Sequence, residues 1–186
     1  MASGKPKTAT SEAGKSPSAT ATPKVIVADA GPLIALAVGG VLPLCIEMLG
    51  GLTAPEDVLI ECTADVSAPG AAIVQSLIEA GKFQVISAAE LMPLDAAYAQ
   101  GLGGSEIAVL SFATQHALLA MIDERRARNV AVRLGVPVVG SGTVVAQLKR
   151  QGLIPSVKPV LSSWKQHGYF VAEPVLRDIL LAAGEL

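Results

Sequence analysis

The sequence predicts an α/β protein whose core is a parallel sheet of four or five strands. Hydrophobic residues make up 51% of the 186 residues and aromatic residues only 3%, which favours α/β layers of Ala, Val, Leu and Ile over a β-sandwich. Short aliphatic runs without polar alternation are typical of parallel strands that are buried on both faces. Segments with helical spacing separate these runs, and this alternation indicates right-handed crossovers within one domain.

Two of the aliphatic runs end in an aspartate. The first ends in Asp29, and Pro32 follows at the expected first helical position, where its missing N–H costs nothing. A later run repeats the pattern and ends in Asp123. Pro137 places the last run at a sheet edge, because proline cannot donate to a neighbouring strand. The predicted strands are 24–29, 52–54, 83–86, 117–123 and 136–139.

The predicted helices begin after residues that favour helix starts, and several end at glycine. Pro55 opens one helix with acids in its first turn, which suits the helix dipole. Ser105 is the expected cap of another helix, and Gly135 is the expected end of a third. The predicted helices are 32–38, 42–49, 55–62, 71–80, 94–100, 105–114, 124–134, 143–151, 157–166 and 174–183.

The N-terminal residues 1–24 differ in composition from the rest of the chain. They are rich in Ser, Thr, Ala, Lys and Pro without apolar periodicity, so we expect disorder there and a domain over 25–186. The apolar stretch 30–46 is short and interrupted by proline and glycine, which indicates buried core and not a membrane span. Cys45 and Cys62 have no CxxC spacing, which predicts reduced core thiols and a cytoplasmic protein.

Charge is distributed unevenly along the chain, although the net charge is only −2. Residues 25–124 contain twelve Asp or Glu and a single cation, Lys82, whereas residues 125–172 contain eight Lys or Arg and no acid. A metal site beside a phosphate-binding surface requires this asymmetry. The alternative is that the charges mix in space once the chain folds.

Four acids are candidate metal ligands. Asp29 and Asp123 follow buried strands, the place where open α/β sheets carry their chemistry, although each could instead cap a helix. Glu61 and Glu106 lie on helices that could border the same crevice, or simply on exposed faces. Four close carboxylates repel one another unless cations lie among them, and an oxygen-only ligand set suits Mg²⁺ or Mn²⁺. Such ions activate water and stabilise the leaving oxygen of a phosphodiester.

Other chemistries fit the sequence less well. Two histidines and no usable cysteine pair argue against zinc. A phosphoaspartyl phosphatase needs an aspartate where the chain has Gly31, and a response regulator needs one where it has Ser87. Neither a P-loop nor a strand-linked G-x-G-x-x-G sequence is present.

Four segments, in this order, resemble the PIN-domain superfamily. They are VADAGPLIAL at 27–36, APEDVLIE at 54–61, GSEIA at 104–108 and MIDERRAR at 121–128. The similarity is to a poorly characterised prokaryotic branch with D-x-x-P-L-I and I-D-[DE]-x-x-A-R motifs, and it extends along residues 25–184. It implies a three-layer α/β/α sandwich with Mg²⁺- or Mn²⁺-dependent endoribonuclease activity.

The resemblance also implies roles for particular residues and partners. By motif match, the acidic quartet is Asp29, Glu61, Glu106 and Asp123, and Glu124 is either an accessory ligand or a helix N-terminal acid. Many relatives are toxins of type II toxin–antitoxin modules, which makes RNA, an antitoxin protein and a second copy of the chain the candidate partners.

Three features depart from this pattern. Many PIN nucleases have Ser, Thr or Asn where this chain has Gly31, which offers no side chain. Glu106 replaces the Asp of many toxin relatives and keeps its charge. The 24-residue tail is unusual for a compact toxin.

The basic segment supplies candidate RNA-binding residues, although each could equally be part of a solvated helix face. Ser141 and Thr143 are candidates for phosphate contact or capping, and Trp164, His167 and Tyr169 for base stacking or packing. Two other functions stay open, namely a non-catalytic nucleic-acid- or protein-binding module and a small-molecule phosphohydrolase. The candidate RNA-binding cations are Arg125, Arg126, Arg128, Arg133, Lys149 and Arg150.

Overall fold

The computed structural model describes residue 1 and residues 25–186, and it confirms the predicted α/β fold class. The predicted disorder of the N-terminal tail concerns residues 2–24, which lie outside the described residues. The strands are β1 Ile26–Ala28, β2 Leu52–Pro55, β3 Phe83–Ile86, β4 Leu119–Met121 and β5 Val138–Val139. They form one sheet in the order β3-β2-β1-β4-β5, and every neighbouring pair is parallel.

Helices fill the connections between these strands. In the described part of the chain they are α1 Ala30–Val38, α2 Leu42–Leu49, α3 Glu56–Thr63, α4 Ala71–Glu79, α5 Ala96–Ala99, α6 Gly104–His116, α7 Arg125–Leu134, α8 Ser141–Arg150, α9 Lys158–Gln166 and α10 Glu173–Ala183. A short 3₁₀ turn, Ala88–Glu90, follows β3 and has no counterpart among the predicted elements.

The strand order explains the two helical layers. From β1 the chain moves to β2 and β3 on one side of the sheet, and it then crosses back to β4 and β5 on the other. Right-handed crossovers that run in opposite directions place their helices on opposite faces, so α6 and α7 lie across the sheet from α1–α4. The later helix α8 returns to pack on α1 and α2. The result is the expected three-layer sandwich with β1 at its centre.

Several predicted boundaries need correction. Helix α1 begins at Ala30, so Pro32 is its third residue and not its first, a place in the first turn where no N–H partner is needed either. Gly103, and not Ser105, is the N-cap of α6. Pro55 ends β2 instead of opening α3. The predicted edge position of the last strand is confirmed, because β5 pairs only with β4 among the described residues.

The apolar core lies on both faces of β1. Cys45 and Cys62 are buried and free, as predicted for core thiols, and burial raises the pKa of each thiol to about 12. Within the described residues no single helix is long and apolar enough to cross a membrane, and α1 and α2 pass such a test only as a pair bent by 118°.

Trp164 fastens the C-terminal helices to this core. Its side chain is 1% exposed, which confirms the packing alternative for this residue. Its indole N–H donates a hydrogen bond of 2.6 Å to the carbonyl oxygen of Ala35 on α1. Helix α9 is therefore tied directly to the first helix of the domain.

Trp164→Phe should lower the free energy of unfolding by about 2–4 kcal/mol, because it removes this hydrogen bond and opens a void in the core. Urea denaturation followed by far-UV circular dichroism measures this, since the chain has only one tryptophan for fluorescence. Gln166→Ala, an exposed change on the same helix, is the matched control and should shift stability by about 0.5 kcal/mol or less. Equal stability of the two variants would contradict the anchoring role.

Candidate metal centre

The two strand-end aspartates meet at the switch point of the sheet. Strand β1 pairs with β4 through Ala28 and Met121, and the N–H of Asp29 continues the ladder to the carbonyl oxygen of Met121 at 3.0 Å. Asp123 lies two residues beyond the end of β4. The expectation that the two strand ends are neighbours is therefore confirmed.

Asp29 is a buried carboxylate. Its side chain is 5% exposed, and although it occupies the N-cap position of α1 it makes no capping hydrogen bond. Burial raises its pKa from 3.8 to about 6; the N–H of Ala30 opposes this rise, and the negative charges of Glu106, Glu61 and Asp123 add to it. The other three carboxylates thus act electrostatically on Asp29, as expected of one acidic cluster.

Glu61 and Glu106 reach this cluster from α3 and α6, two helices on opposite faces of the sheet that contact each other. The hydroxyl of Ser105 donates to Oε2 of Glu61 and so joins the two helices. Oε2 of Glu106 accepts the N–H of Gly103 at 2.7 Å, which satisfies one free donor at the start of α6. Each glutamate therefore has one oxygen held by a neutral donor.

Asp123 is held through both of its oxygens. Oδ1 accepts the N–H of Ser141 at 2.8 Å, and Oδ2 accepts the hydroxyl of Tyr169 at 2.7 Å. Gly140 makes room for this arrangement, because a Cβ there would lie 2.9 Å from Oδ1 of Asp123. Arg128 supports the same turn by donating to the carbonyl oxygen of Ile122 at 2.9 Å.

Tyr169 is a site residue whose role the sequence did not reveal. It was a candidate for stacking or packing, but its hydroxyl binds Asp123 while its ring packs on Trp164 at a centroid distance of 5.5 Å. Burial and the charge of Asp123 raise the pKa of Tyr169, which keeps the phenol protonated as a donor. Since 46 residues separate the partners, no local pattern indicates the contact.

Glu124 has a local role in the structure. Its Oε2 accepts the N–H of Ala127 at 2.9 Å, so it is the N-cap of α7. This supports the helix N-terminal alternative for Glu124. Its role as an accessory metal ligand stays a prediction.

The candidate RNA-binding cations separate into groups. Arg125 and Arg128 line a cavity of about 590 Å³ that opens beside Asp123. The fold therefore places two of the six next to the acidic cluster.

The other four cations lie elsewhere. Arg126 rests against the glycine-rich loop before α6, and Arg133 covers the ring of Tyr98 at 4.7 Å. Lys149 and Arg150 lie in the last turn of α8, the opposite end from the residues beside Asp123. The stacking of Arg133 on an aromatic ring is a structural use of that guanidinium. RNA binding by the six cations stays a prediction.

The comparison with protein families agrees with this geometry. The model of family DUF3368, described as a PIN domain, matches residues 25–185. The chain belongs to the PIN-domain family. A comparison with curated proteins gave no match. PIN domains are generally nucleases and typically use divalent metal ions.

The acidic cluster of this PIN domain has suitable donors for such an ion but is not closed around one. All four members offer carboxylate oxygens, the ligands that Mg²⁺ and Mn²⁺ prefer, and their partners are neutral hydroxyl and N–H groups that leave the charge in place. In the described part of the chain, no three His, Cys, Asp or Glu side chains stand close enough to hold an ion as placed. The four carboxylates fit a hard cation once the side chains of Glu61 and Glu106 rotate toward the two aspartates.

Asp29→Asn should stabilise the folded protein at neutral pH. Because the folded pKa is about 6 and the ordinary value 3.8, the folded state binds the proton more tightly, and the wild type loses stability as the pH rises from about 4 to 6. We expect the variant to be more stable by up to about 3 kcal/mol at pH 7, with the difference vanishing near pH 4. Urea denaturation in EDTA across this range measures it, and a pH-independent difference would contradict the assignment.

Gly140→Ala should displace Asp123, because the added Cβ would lie 2.9 Å from Oδ1 of Asp123 and 3.0 Å from Nη1 of Arg128. We expect a loss of about 1–3 kcal/mol in unfolding free energy and weaker Mn²⁺ binding by calorimetry. Gly31→Ala is the control, since its Cβ meets nothing within 4 Å and alanine favours a helix by up to about 1 kcal/mol. Similar effects of both variants would rule out a specific contact at residue 140.

Proposed function

We propose that this PIN domain is a Mg²⁺- or Mn²⁺-dependent endoribonuclease that hydrolyses RNA phosphodiesters. The observation that carries the proposal is a buried aspartate, Asp29, at the switch point of the sheet with three further carboxylates acting on it. Burying charge without a partner is costly, so such a cluster is expected to bind cations. The family supplies the general class, a nuclease.

Each carboxylate would have a distinct part in holding the metal. Asp29 is fixed by its buried backbone, and Asp123 by two hydrogen bonds. Glu61 and Glu106 have longer side chains that can rotate toward the ion. A bound Mg²⁺ or Mn²⁺ supplies a more acidic water and charge stabilisation for the leaving oxygen. The protein supplies the fixed oxygen ligands and the place for the phosphate.

The cavity beside Asp123 favours a polymeric phosphodiester over a small phosphate ester. Donors to phosphate oxygens line it beside two acids, Asp123 and Asp178. These donors are Arg125, Arg128, Asn129 and Thr143. A strand with its scissile phosphate at the carboxylates could continue into this cavity. The toxin role and binding to an antitoxin protein or a second copy are further proposals that rest on the family resemblance.

The alternative is a PIN domain that binds RNA without cutting it. The open arrangement of the acids favours this alternative, because no ready-made ligand shell is present among the described residues. Such a protein would retain RNA with a steep salt dependence and would not bind Mg²⁺ or Mn²⁺.

The wild type should cleave a single-stranded RNA oligonucleotide when Mn²⁺ or Mg²⁺ is added, and Asp29→Asn should reduce the rate by about 100-fold or more, since it removes a charge from the metal site. Gel electrophoresis of end-labelled RNA measures the rate, and calorimetry measures Mn²⁺ binding. The cleavage rate and the affinity for Mn²⁺ should both fall in the Asp29→Asn variant.

Glu47→Gln is the matched control for charge removal. Glu47 is exposed on α2 and lines a surface at the amino ends of the strands, the edge opposite the cluster. The Glu47→Gln variant should cleave RNA at the wild-type rate. Absence of cleavage by the wild type with either ion would overturn the proposal, and turnover of p-nitrophenyl phosphate without RNA cleavage would point to a small-molecule phosphohydrolase.

A further inference from the structure

Phe170 is an exposed aromatic side chain next to the acidic cluster. Its side chain is 89% exposed, whereas the chain's other two phenylalanines, Phe83 and Phe112, are each 8% exposed. The preceding residue, Tyr169, is the one whose hydroxyl binds Asp123. A single exposed apolar side chain is common on protein surfaces, so the groups around Phe170 decide whether it contacts a ligand.

A cavity of about 580 Å³ lies beside this ring. Its walls include Trp164, Tyr169 and Phe170, and Lys158 and Lys165 also line it. The size is in the range of small-ligand sites, which are mostly apolar with a few polar groups. It suits a flat aromatic ligand attached to an anion.

The cavity and the cluster share one residue, Tyr169. The ring of Tyr169 lines the cavity, and its hydroxyl donates to Oδ2 of Asp123. Trp164, packed on the same ring and bonded to Ala35, keeps this wall in place. Tyr169 therefore joins the lining of the cavity to the carboxylate of Asp123.

We propose that this cavity is a base-stacking subsite, in which Phe170 stacks on an unpaired nucleobase next to the scissile phosphate and the two lysines contact the strand's phosphates. This rests on the proposed cleavage of RNA and specifies its substrate as single-stranded. Aromatic rings beside cations are the usual means of binding unpaired strands, because every base presents a face for stacking. The lining contains two lysines and one acid, Glu173. This excess of positive charge favours a polyanion over an apolar partner helix.

The first test measures RNA binding without cleavage. The background is Asp29→Asn with Mg²⁺, and fluorescence anisotropy follows a fluorescein-labelled single-stranded RNA. Phe170→Ala should weaken binding about tenfold, and Phe170→Trp should restore it. Val132→Ala, which changes an apolar side chain that is 71% exposed on α7, is the control and should leave affinity unchanged.

The second test locates the stacked base. Oligonucleotides with one abasic position each are titrated into the same background with Phe170 and with Phe170→Ala. One position should show about a tenfold loss with Phe170 and almost none with the alanine variant, because the two changes remove the same contact. A fully paired duplex should bind equally to both proteins.

The outcomes separate the subsite from the proposed function. Wild-type affinity in Phe170→Ala, or abasic losses that are equal in both proteins, would overturn the subsite even if RNA is cleaved. Failure of the wild type to cleave RNA would overturn the proposed function itself, whatever the effect of Phe170→Ala on binding. A loss of affinity at one abasic position that occurs with Phe170 and not with Phe170→Ala would support the subsite and the proposed binding of RNA.

Discussion

Pairing of β1 with strands on both sides is the constraint on which the site depends. Because β1 is central, its last residue is followed at once by a turn inside the protein, and Asp29 is buried there. The same pairing brings the end of β4 alongside and with it Asp123. Burial and the neighbouring negative charges raise the pKa of Asp29, so the ionised form of this carboxyl opposes folding. A cation would relieve the repulsion, so the strain is consistent with a functional role.

The far C-terminal segment is part of this site. Tyr169 reaches Asp123, and Trp164 reaches Ala35 on the helix that begins after Asp29. The hydroxyl of Ser163 also donates to the carbonyl oxygen of Val38, at the end of that helix, at 2.7 Å. Contacts across more than 120 residues therefore fix the two ends of the domain against each other. Loss of the last helices would remove part of the support of Asp123 as well as core packing.

The sequence predicted the sheet and the neighbouring strand ends because both follow from local patterns. Buried parallel strands are continuous aliphatic runs, and two such runs ended in Asp29 and Asp123. Which cations approach the acids was not predictable, since Arg125 and Arg126 are adjacent in sequence and point to different neighbours. The hydrogen bond from Tyr169 to Asp123 could not be predicted either, because it depends on how α9 packs. Tertiary packing, and not propensity, decides these features.

Residue 31 has no side chain, but hydroxyl donors contact other members of the cluster. A Cβ on Gly31 would meet nothing within 4 Å, so crowding does not account for glycine there. Hydroxyl groups are nevertheless present, because Ser105 donates to Glu61 and Tyr169 donates to Asp123. Neutral donors of this kind orient a carboxylate without cancelling its charge, which is what a metal ligand requires. In this PIN domain the orienting hydroxyls act on the carboxylates of α3 and the β4 end, whereas Asp29 is buried and has the backbone N–H of Ala30 beside it.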